Sequence, residues 1–187
     1  MSKQICLRGN RIYLRKFKKS DINNTYISWL KDPVVTQFMH AASKLISKKN
    51  LLQYYDNFKN NKNDFLFAVI INKNKKHIGN VRLGPVEWAH RRTEFGIMIG
   101  DKKNWGQGYA SEAVKLILNY AFTDLKLNKI NIGVVEENKP AIHLYRKSGF
   151  KKEGCIRNNF YLNGKYLNSI RMGMLKSEFV IHGNIKP

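Results

Sequence analysis

The stretch KNWGQGYASEAV, residues 103–114, places two glycines between a predicted strand and the longest predicted helix of the chain. Glycine weakens a helix by roughly 1 kcal/mol relative to alanine, so a glycine pair at a helix start needs a physical reason. Taken alone, the pair is compatible with a tight turn, or with a backbone that approaches a phosphate at the unpaired N–H groups of the helix. The stretch lacks the terminal Lys-Ser/Thr of a Walker loop and the G-x-G-x-x-G spacing of a dinucleotide loop.

Hydrophobic periodicity predicts the element order β-α-α-β-β-β-α-β-α-β-β within a single domain, residues 1–187. The predicted strands are 11–17, two within 64–84, 92–100, 129–138 and a hairpin over 155–175, and the predicted helices are 22–32, 48–60, 108–125 and 139–150. This order indicates an α/β fold of the mixed-sheet (α+β) type, with helices on both faces. The strands on either side of the glycine loop and its helix are expected to be parallel, and such sheets bind ligands at the carboxyl ends of their strands.

Charge and apolar runs restrict the function classes. The chain has 34 Lys and Arg against 13 Asp and Glu, a net charge of +21, which favours anionic partners over cationic ones. It has no zinc-finger spacing, RNP-like motif or clear helix-turn-helix, so we expect no nucleic-acid partner.

The longest apolar run, 65–71, is too short for a membrane span, and no signal-peptide apolar region is visible, which predicts a cytoplasmic protein. Cys6 and Cys155 lack metal-ligand spacing, so we expect reduced thiols and no metal site. His77 falls in a predicted loop or strand edge, so we expect it to be solvated.

A second motif, which follows the glycine loop in the chain, makes the interpretation of that loop more specific. GIMIGDKKNWGQGYASEAV, followed by VVEENKPAIHLYRKSGFKKEG, resembles the acetyl-CoA motifs of the GNAT N-acetyltransferases. It is most similar to the RimJ/RimL-like branch, which includes ribosomal-protein and amino-sugar acetyltransferases. The family loop is Arg/Gln-x-x-Gly-x-Gly/Ala, and Lys103 takes its first place here. RGNRIYLRKFKKSD and WLKDPVV also match that branch, so the resemblance spans about residues 5–175.

The resemblance implies acetyl-CoA as co-substrate, bound where a central pair of parallel strands splays apart. It implies that the backbone beside the splay pairs with pantetheine, that the glycine loop holds the diphosphate, and that Asn138 contacts the pantetheine arm or caps a helix. The predicted cofactor-binding residues are Ile97, Met98, Ile99, Lys103, Asn104, Trp105, Gly106, Gln107, Gly108, Tyr109, Ala110 and Asn138.

Acetyl transfer to an amine also needs a proton donor and a proton acceptor. By its place in the second motif, Tyr145 is the candidate acid that protonates the CoA thiolate. Glu94 is the first candidate for the base that deprotonates the amine. Glu87 is the second, and either carboxylate could instead form a surface ion pair with Arg91 or Arg92.

The sequence determines the identity of the acceptor amine less well than that of the co-substrate. Trp29, Phe38 and His40 are predicted to contact a sugar or nucleotide ring, with core packing as the alternative for this group. The positive charge favours a nucleotide-linked amino sugar, with the N-terminus of a protein next. A polyamine would require an acidic pocket. A non-catalytic CoA-binding module is a further alternative, and a monomer or homodimer is expected.

Overall fold

The computed structural model describes residues 5–39, 47–59, 61–162 and 164–179. In these ranges, eight strands form one mixed sheet in the order β1-β2-β3-β4-β5-β6-β8-β7. The strands are β1 (Cys6–Arg8), β2 (Ile12–Lys16), β3 (Phe65–Ile71), β4 (His77–Leu83), β5 (Arg92–Ile99), β6 (Lys129–Val135), β7 (Lys151–Leu162) and β8 (Lys165–Leu175). The helices are α1 (Asn24–Lys31), α2 (Pro33–Thr36), α3 (Lys48–Lys59), α4 (Tyr109–Asn119) and α5 (Lys139–Lys147).

The predicted mixed α/β sheet is confirmed, with two additions. β1 pairs with β2 over three residues, too short a run for an alternating pattern to reveal. Pro33 begins a separate single-turn helix, α2, directly after α1, and the Asp32 carboxylate caps it by accepting the N–H of Val34 at 2.9 Å. The predicted helix 108–125 is α4 followed by a π-helical turn over Tyr120–Asp124.

The sheet separates two apolar cores, as the alternation within β3 illustrates. Phe67 and Val69 face the core beneath α4 and α5, while Ala68 and Ile70 face the core beneath α1 and α3. Both faces of the strand are therefore buried, which explains its uninterrupted apolar run. The next strand, β4, alternates in the same way from Gly79 to Leu83, after a bulge at Ile78, but it carries polar Asn80 and Arg82 on the α1/α3 face.

His77 is half-buried and packs against the second core, the one beneath α1 and α3, so the expectation that it is solvated is wrong. Its ring stacks on Tyr26 at 6.0 Å and meets Trp29 edge-on at 5.2 Å, and its Nε2 lies 2.8 Å from the carbonyl oxygen of Gly79. Burial lowers the pKa of His77, although the nearby Asp21 carboxylate opposes that effect. The folded protein therefore favours the neutral imidazole.

We predict that His77 makes the fold less stable as the pH falls from about 7.5 to 5.5. The unfolded chain, with a histidine pKa near 6.5, binds a proton there that the folded chain resists, so the free energy of unfolding decreases with falling pH. His77→Gln should flatten the dependence of Tm on pH in this window, measured by thermal denaturation.

His90→Gln, which changes an exposed histidine, is the matched control and should follow the wild-type dependence. An unaltered slope in His77→Gln would contradict the account. The pKa of Asp21 is also lowered, so its contribution to stability is lost only at more acidic pH, outside this window.

Candidate active site

A cleft opens where the two parallel strands of the sheet separate. β5 and β6 pair only through Arg92–Glu94 and Lys129–Asn131, and their continuations diverge. The resulting cleft has a volume of about 850 Å³. Its walls are the ends of β5 and β6, the loop before α4, α5, α2 with the segment that follows it, and residues of α3, β4 and β7. Its place at the carboxyl ends of the parallel strands is the expected ligand position.

The backbone of β5 alternates between its two neighbours. Hydrogen bonds from Gly84 N to Glu94 O and from Gly100 N to Ile78 O fix this alternation in the antiparallel β4–β5 ladder. Even-numbered residues of β5 therefore turn their peptide groups toward β4, and Phe95, Ile97 and Ile99 turn theirs toward the cleft. Met98 lines the cleft, but its peptide groups turn toward β4, so the predicted pairing of its backbone with pantetheine does not fit this register.

The glycine loop presents an open helix N-terminus to the cleft. Gly106 and Gly108 have φ values of +70° and +79°, in the left-handed region that glycine adopts without strain. Gly108 is the N-cap of α4 and supplies no side chain to cap it, so the first N–H groups, including those of Tyr109 and Ala110, have no partner within the helix. Such a terminus attracts anions.

The remaining residues of the predicted loop divide into lining and bracing groups. Asn104 and Trp105 line the cleft, and the Trp105 indole N–H donates to the carbonyl oxygen of Ile99 at 2.6 Å. Gln107 and Lys103 do not line it: the Gln107 amide donates to the Lys103 carbonyl oxygen at 2.7 Å, and the Lys103 side chain is exposed. Lys103 therefore braces the loop through its backbone.

Tyr145 reaches the cleft from α5. Its side chain is 4% exposed and meets Phe95 edge-on, with ring centres 5.5 Å apart. Burial raises the pKa of Tyr145 well above its usual value near 10, so the phenol stays protonated at neutral pH. Asn138, also at the cleft, accepts the N–H of Ala141 at 3.2 Å and caps α5.

Several predicted acceptor-side residues lie elsewhere. Trp29 is buried in the second core, where it leaves no space for a Cβ at Gly100. Glu87 forms an exposed pair with Arg92 at 2.9 Å, the alternative that the sequence had left open. Glu94 pairs with Arg171 and does not line the cleft. Neither carboxylate is placed to take a proton from a bound amine.

The other two predicted acceptor residues have different outcomes. Phe38 does line the cleft, at the end of the segment that follows α2. His40 lies outside the described residues, so its predicted contact stays a prediction.

Sequence reasoning missed five polar cleft residues: Tyr54 on α3, the β4 pair Asn80 and Arg82, and Gln37 and Ser111. The guanidinium of Arg82 donates from Nε and Nη2 to one oxygen of Asp64, at 3.1 and 2.9 Å, and lies over the ring of Phe58. For Asn80 and Arg82, a signal was present in the sequence: they are the polar residues of the alternating segment HIGNVRL. Polar residues at alternate positions of a strand indicate a face that is not packed into an apolar core.

Comparisons with known proteins agree with this architecture. A family model described as an acetyltransferase (GNAT) domain matches residues 11–151. The chain belongs to the GNAT acetyltransferase family. It is therefore an acetyl-CoA-dependent N-acetyltransferase, which confirms the predicted enzyme class and co-substrate. Assignment to the RimJ/RimL-like branch stays a prediction.

Proteins similar to this GNAT enzyme include an uncharacterized N-acetyltransferase and spermidine acetyltransferases. The chain is 29% identical over 175 residues to an uncharacterized N-acetyltransferase p20 of Bacillus licheniformis, covering 92% of this chain and 97% of that protein. It is 42% identical over 102 residues to spermidine N(1)-acetyltransferase of Escherichia coli, about half the length of each. The crystal structure of spermidine N-acetyltransferase from Vibrio cholerae in complex with CoA and spermine superposes with a TM-score of 0.80, at 28% identity, covering 91% of this chain and 98% of that one.

We searched the described residues for membrane-spanning helices and for metal-binding groups. Their helices do not combine the length and apolar character that a bilayer crossing requires. Nor do their His, Cys, Asp and Glu side chains form a group of three or more that could hold a metal ion.

We predict that Tyr145→Phe lowers kcat by about 100-fold or more, the usual contribution of a positioned acid. The substitution keeps the ring in its contact with Phe95, so the KM for acetyl-CoA should change little. Thiol release at saturating amine measures both constants.

Tyr120→Phe is the matched control, because Tyr120 is a buried tyrosine in the same core that does not line the cleft. Glu94→Gln should also retain activity within a fewfold of wild type, because its carboxylate is engaged by Arg171. A loss in Glu94→Gln as large as in Tyr145→Phe would contradict this assignment.

Proposed function

We propose that this enzyme acetylates a weakly basic primary amine on a small molecule whose body is neutral or anionic, such as a nucleotide-linked amino sugar. The observation that carries the proposal is the charge of the cleft. Among the described residues that line it there is no carboxylate, and Arg82 is the one charged side chain.

Acetyl transfer at this cleft requires three contributions from the chain. Peptide N–H groups of β5 that turn toward the cleft, such as that of Ile97, are placed to stabilise the charge that develops on the thioester oxygen. The amine nitrogen attacks the carbonyl carbon, the C–N bond forms and the C–S bond breaks. Tyr145 donates its proton to the departing sulfur and recovers one from the acylated nitrogen, which releases a proton as the amide forms.

The lack of a cleft carboxylate bears on the basicity of the amine. Only the unprotonated amine can attack, and no described side chain is placed to deprotonate an ammonium ion at the acyl group. An alkylamine with a pKa near 10.4 is about 0.1% unprotonated at pH 7.5, whereas an amine with a pKa near 7.8 is about one third unprotonated. Neighbouring oxygens lower the pKa of amino-sugar amines in this direction.

The acceptor side is also unfavourable to a polycation. Residues 33–55, which supply Val34, Phe38 and Tyr54 to the cleft, contain three lysines and no Asp or Glu. Arg82 adds a positive group whose charge is shared with Asp64. An acceptor phosphate or carboxylate would be attracted here, and an ammonium group would be repelled.

A polyamine is the second candidate, because relatives named spermidine acetyltransferases resemble this chain. One carboxylate does adjoin the cleft: Glu137 lies in a neighbouring hollow with Gln37, Phe38 and Lys165. A protein N-terminus also has a weakly basic amine, but most such partners on ribosomes are basic and would be repelled.

A panel of acceptors tests the proposal through thiol release from acetyl-CoA. We expect the highest kcat/KM with UDP- or dTDP-linked amino sugars, and low values with spermidine, spermine and an N-terminal peptide. Arg82→Met should raise the KM of an anionic acceptor by about tenfold, the scale of one charge-assisted hydrogen bond. The same change should leave or lower the KM of a polyamine.

Activity confined to polyamines, and reduced by Glu137→Gln, would contradict the proposed acceptor and support the second candidate. Activity on peptides alone would contradict both. Either result would leave the acetyltransferase assignment intact.

A further inference from the structure

Arg11, the residue before β2, lies against the outer side of the glycine loop. Its Nη1 donates to the carbonyl oxygen of Gln107 at 2.9 Å, and its guanidinium carbon is 4.8 Å from the centre of the Tyr109 ring. Its Nη2 is so close to Gly108 that a Cβ built there would lie 3.1 Å away. A residue about 100 positions earlier in the chain therefore contacts the loop at three consecutive residues.

Hydrogen bonds hold both the N–H and the carbonyl group of Arg11, so the position from which its side chain extends is well defined. Its N–H donates to Glu112 Oε1 at 2.8 Å, and its carbonyl oxygen accepts the N–H of Asn72 at 2.8 Å. The second oxygen of Glu112 lies 3.3 Å from Arg11 Nε. Because Glu112 is on the first turns of α4, the loop, the helix and the strand are held as one unit.

The contact with Gln107 determines where the next N–H points. In a trans peptide the C=O and N–H groups point in opposite directions. When Arg11 holds the Gln107 carbonyl on the outside of the loop, the N–H of Gly108 in the same peptide is directed to the opposite side. Gly108 lines the cleft, whereas Arg11 does not.

We propose that Arg11 is a positioning residue for the diphosphate of acetyl-CoA: it orients the Gln107–Gly108 peptide so that the N–H of Gly108 donates to a phosphate oxygen. Arg11 acts through this peptide and does not touch the diphosphate. The inference concerns the co-substrate end of the cleft and holds for any acceptor.

The test compares binding of CoA with binding of pantetheine, which lacks the diphosphate, by titration calorimetry with competition. Arg11→Met should raise the dissociation constant of CoA by about tenfold, the size expected for one hydrogen bond to a charged group. It should leave that of pantetheine unchanged. Arg11→Lys, which keeps one donor for the Gln107 carbonyl, should restore most of the affinity for CoA.

Arg8→Met is the matched control, because it removes an equal charge from an exposed residue of the neighbouring strand and should change neither constant. An equal loss of CoA affinity in Arg8→Met would assign the effect to the general positive field and overturn the proposal. Equal losses for CoA and pantetheine in Arg11→Met, or no loss for either, would also overturn it. If Arg11→Met does not fold, Arg11→Gln in the same comparison decides the question.

Discussion

The short parallel pairing between β5 and β6 is the constraint on which the rest of the site depends. Three residue pairs hold the strands together, and beyond Glu94 the strands diverge, so the ends of both present peptide groups without a strand partner. Unpaired peptide groups are costly when buried, and here they border an open cleft. The cleft opens at this divergence, and the glycine loop and Tyr145 border it. An extended polar chain such as pantetheine suits it, because it can occupy the position of a missing strand.

Two different electrostatic effects act on the ligands of this protein. The net charge of +21 acts over the whole surface and is screened by salt within about 8 Å at physiological ionic strength. The local effects are directional: an uncapped helix N-terminus at Gly108, and the Arg82 guanidinium, held by Asp64, in the cleft wall. We expect selection between acceptors to depend on the local groups, since a ligand in the cleft would be close to them and the screened surface charge acts on all ligands alike. This is why the absence of carboxylates among the described cleft residues weighs more than the total charge.

The fold and the use of acetyl-CoA could be predicted from the sequence, because both follow from short local patterns. Strand alternation, the glycine pair and Asn138 with Tyr145 are all short-range signals. The acceptor side was harder to predict, because it is assembled from separate segments: Arg82 from β4, Tyr54 from α3 and Phe38 from the segment after α2. Trp29 and His77 have the residue types of a binding site, yet they pack on each other in a core. Arg11 gave no local signal, because its contact lies about 100 residues away in the chain.

A crystal structure with acetyl-CoA bound tests the central claim most directly. The account predicts diphosphate oxygens about 3 Å from the N–H groups that begin α4, pantetheine hydrogen-bonded to Ile97 in the splay, and the sulfur within hydrogen-bonding reach of the Tyr145 hydroxyl. A diphosphate bound away from Gly108, or a thioester remote from Tyr145, would contradict it.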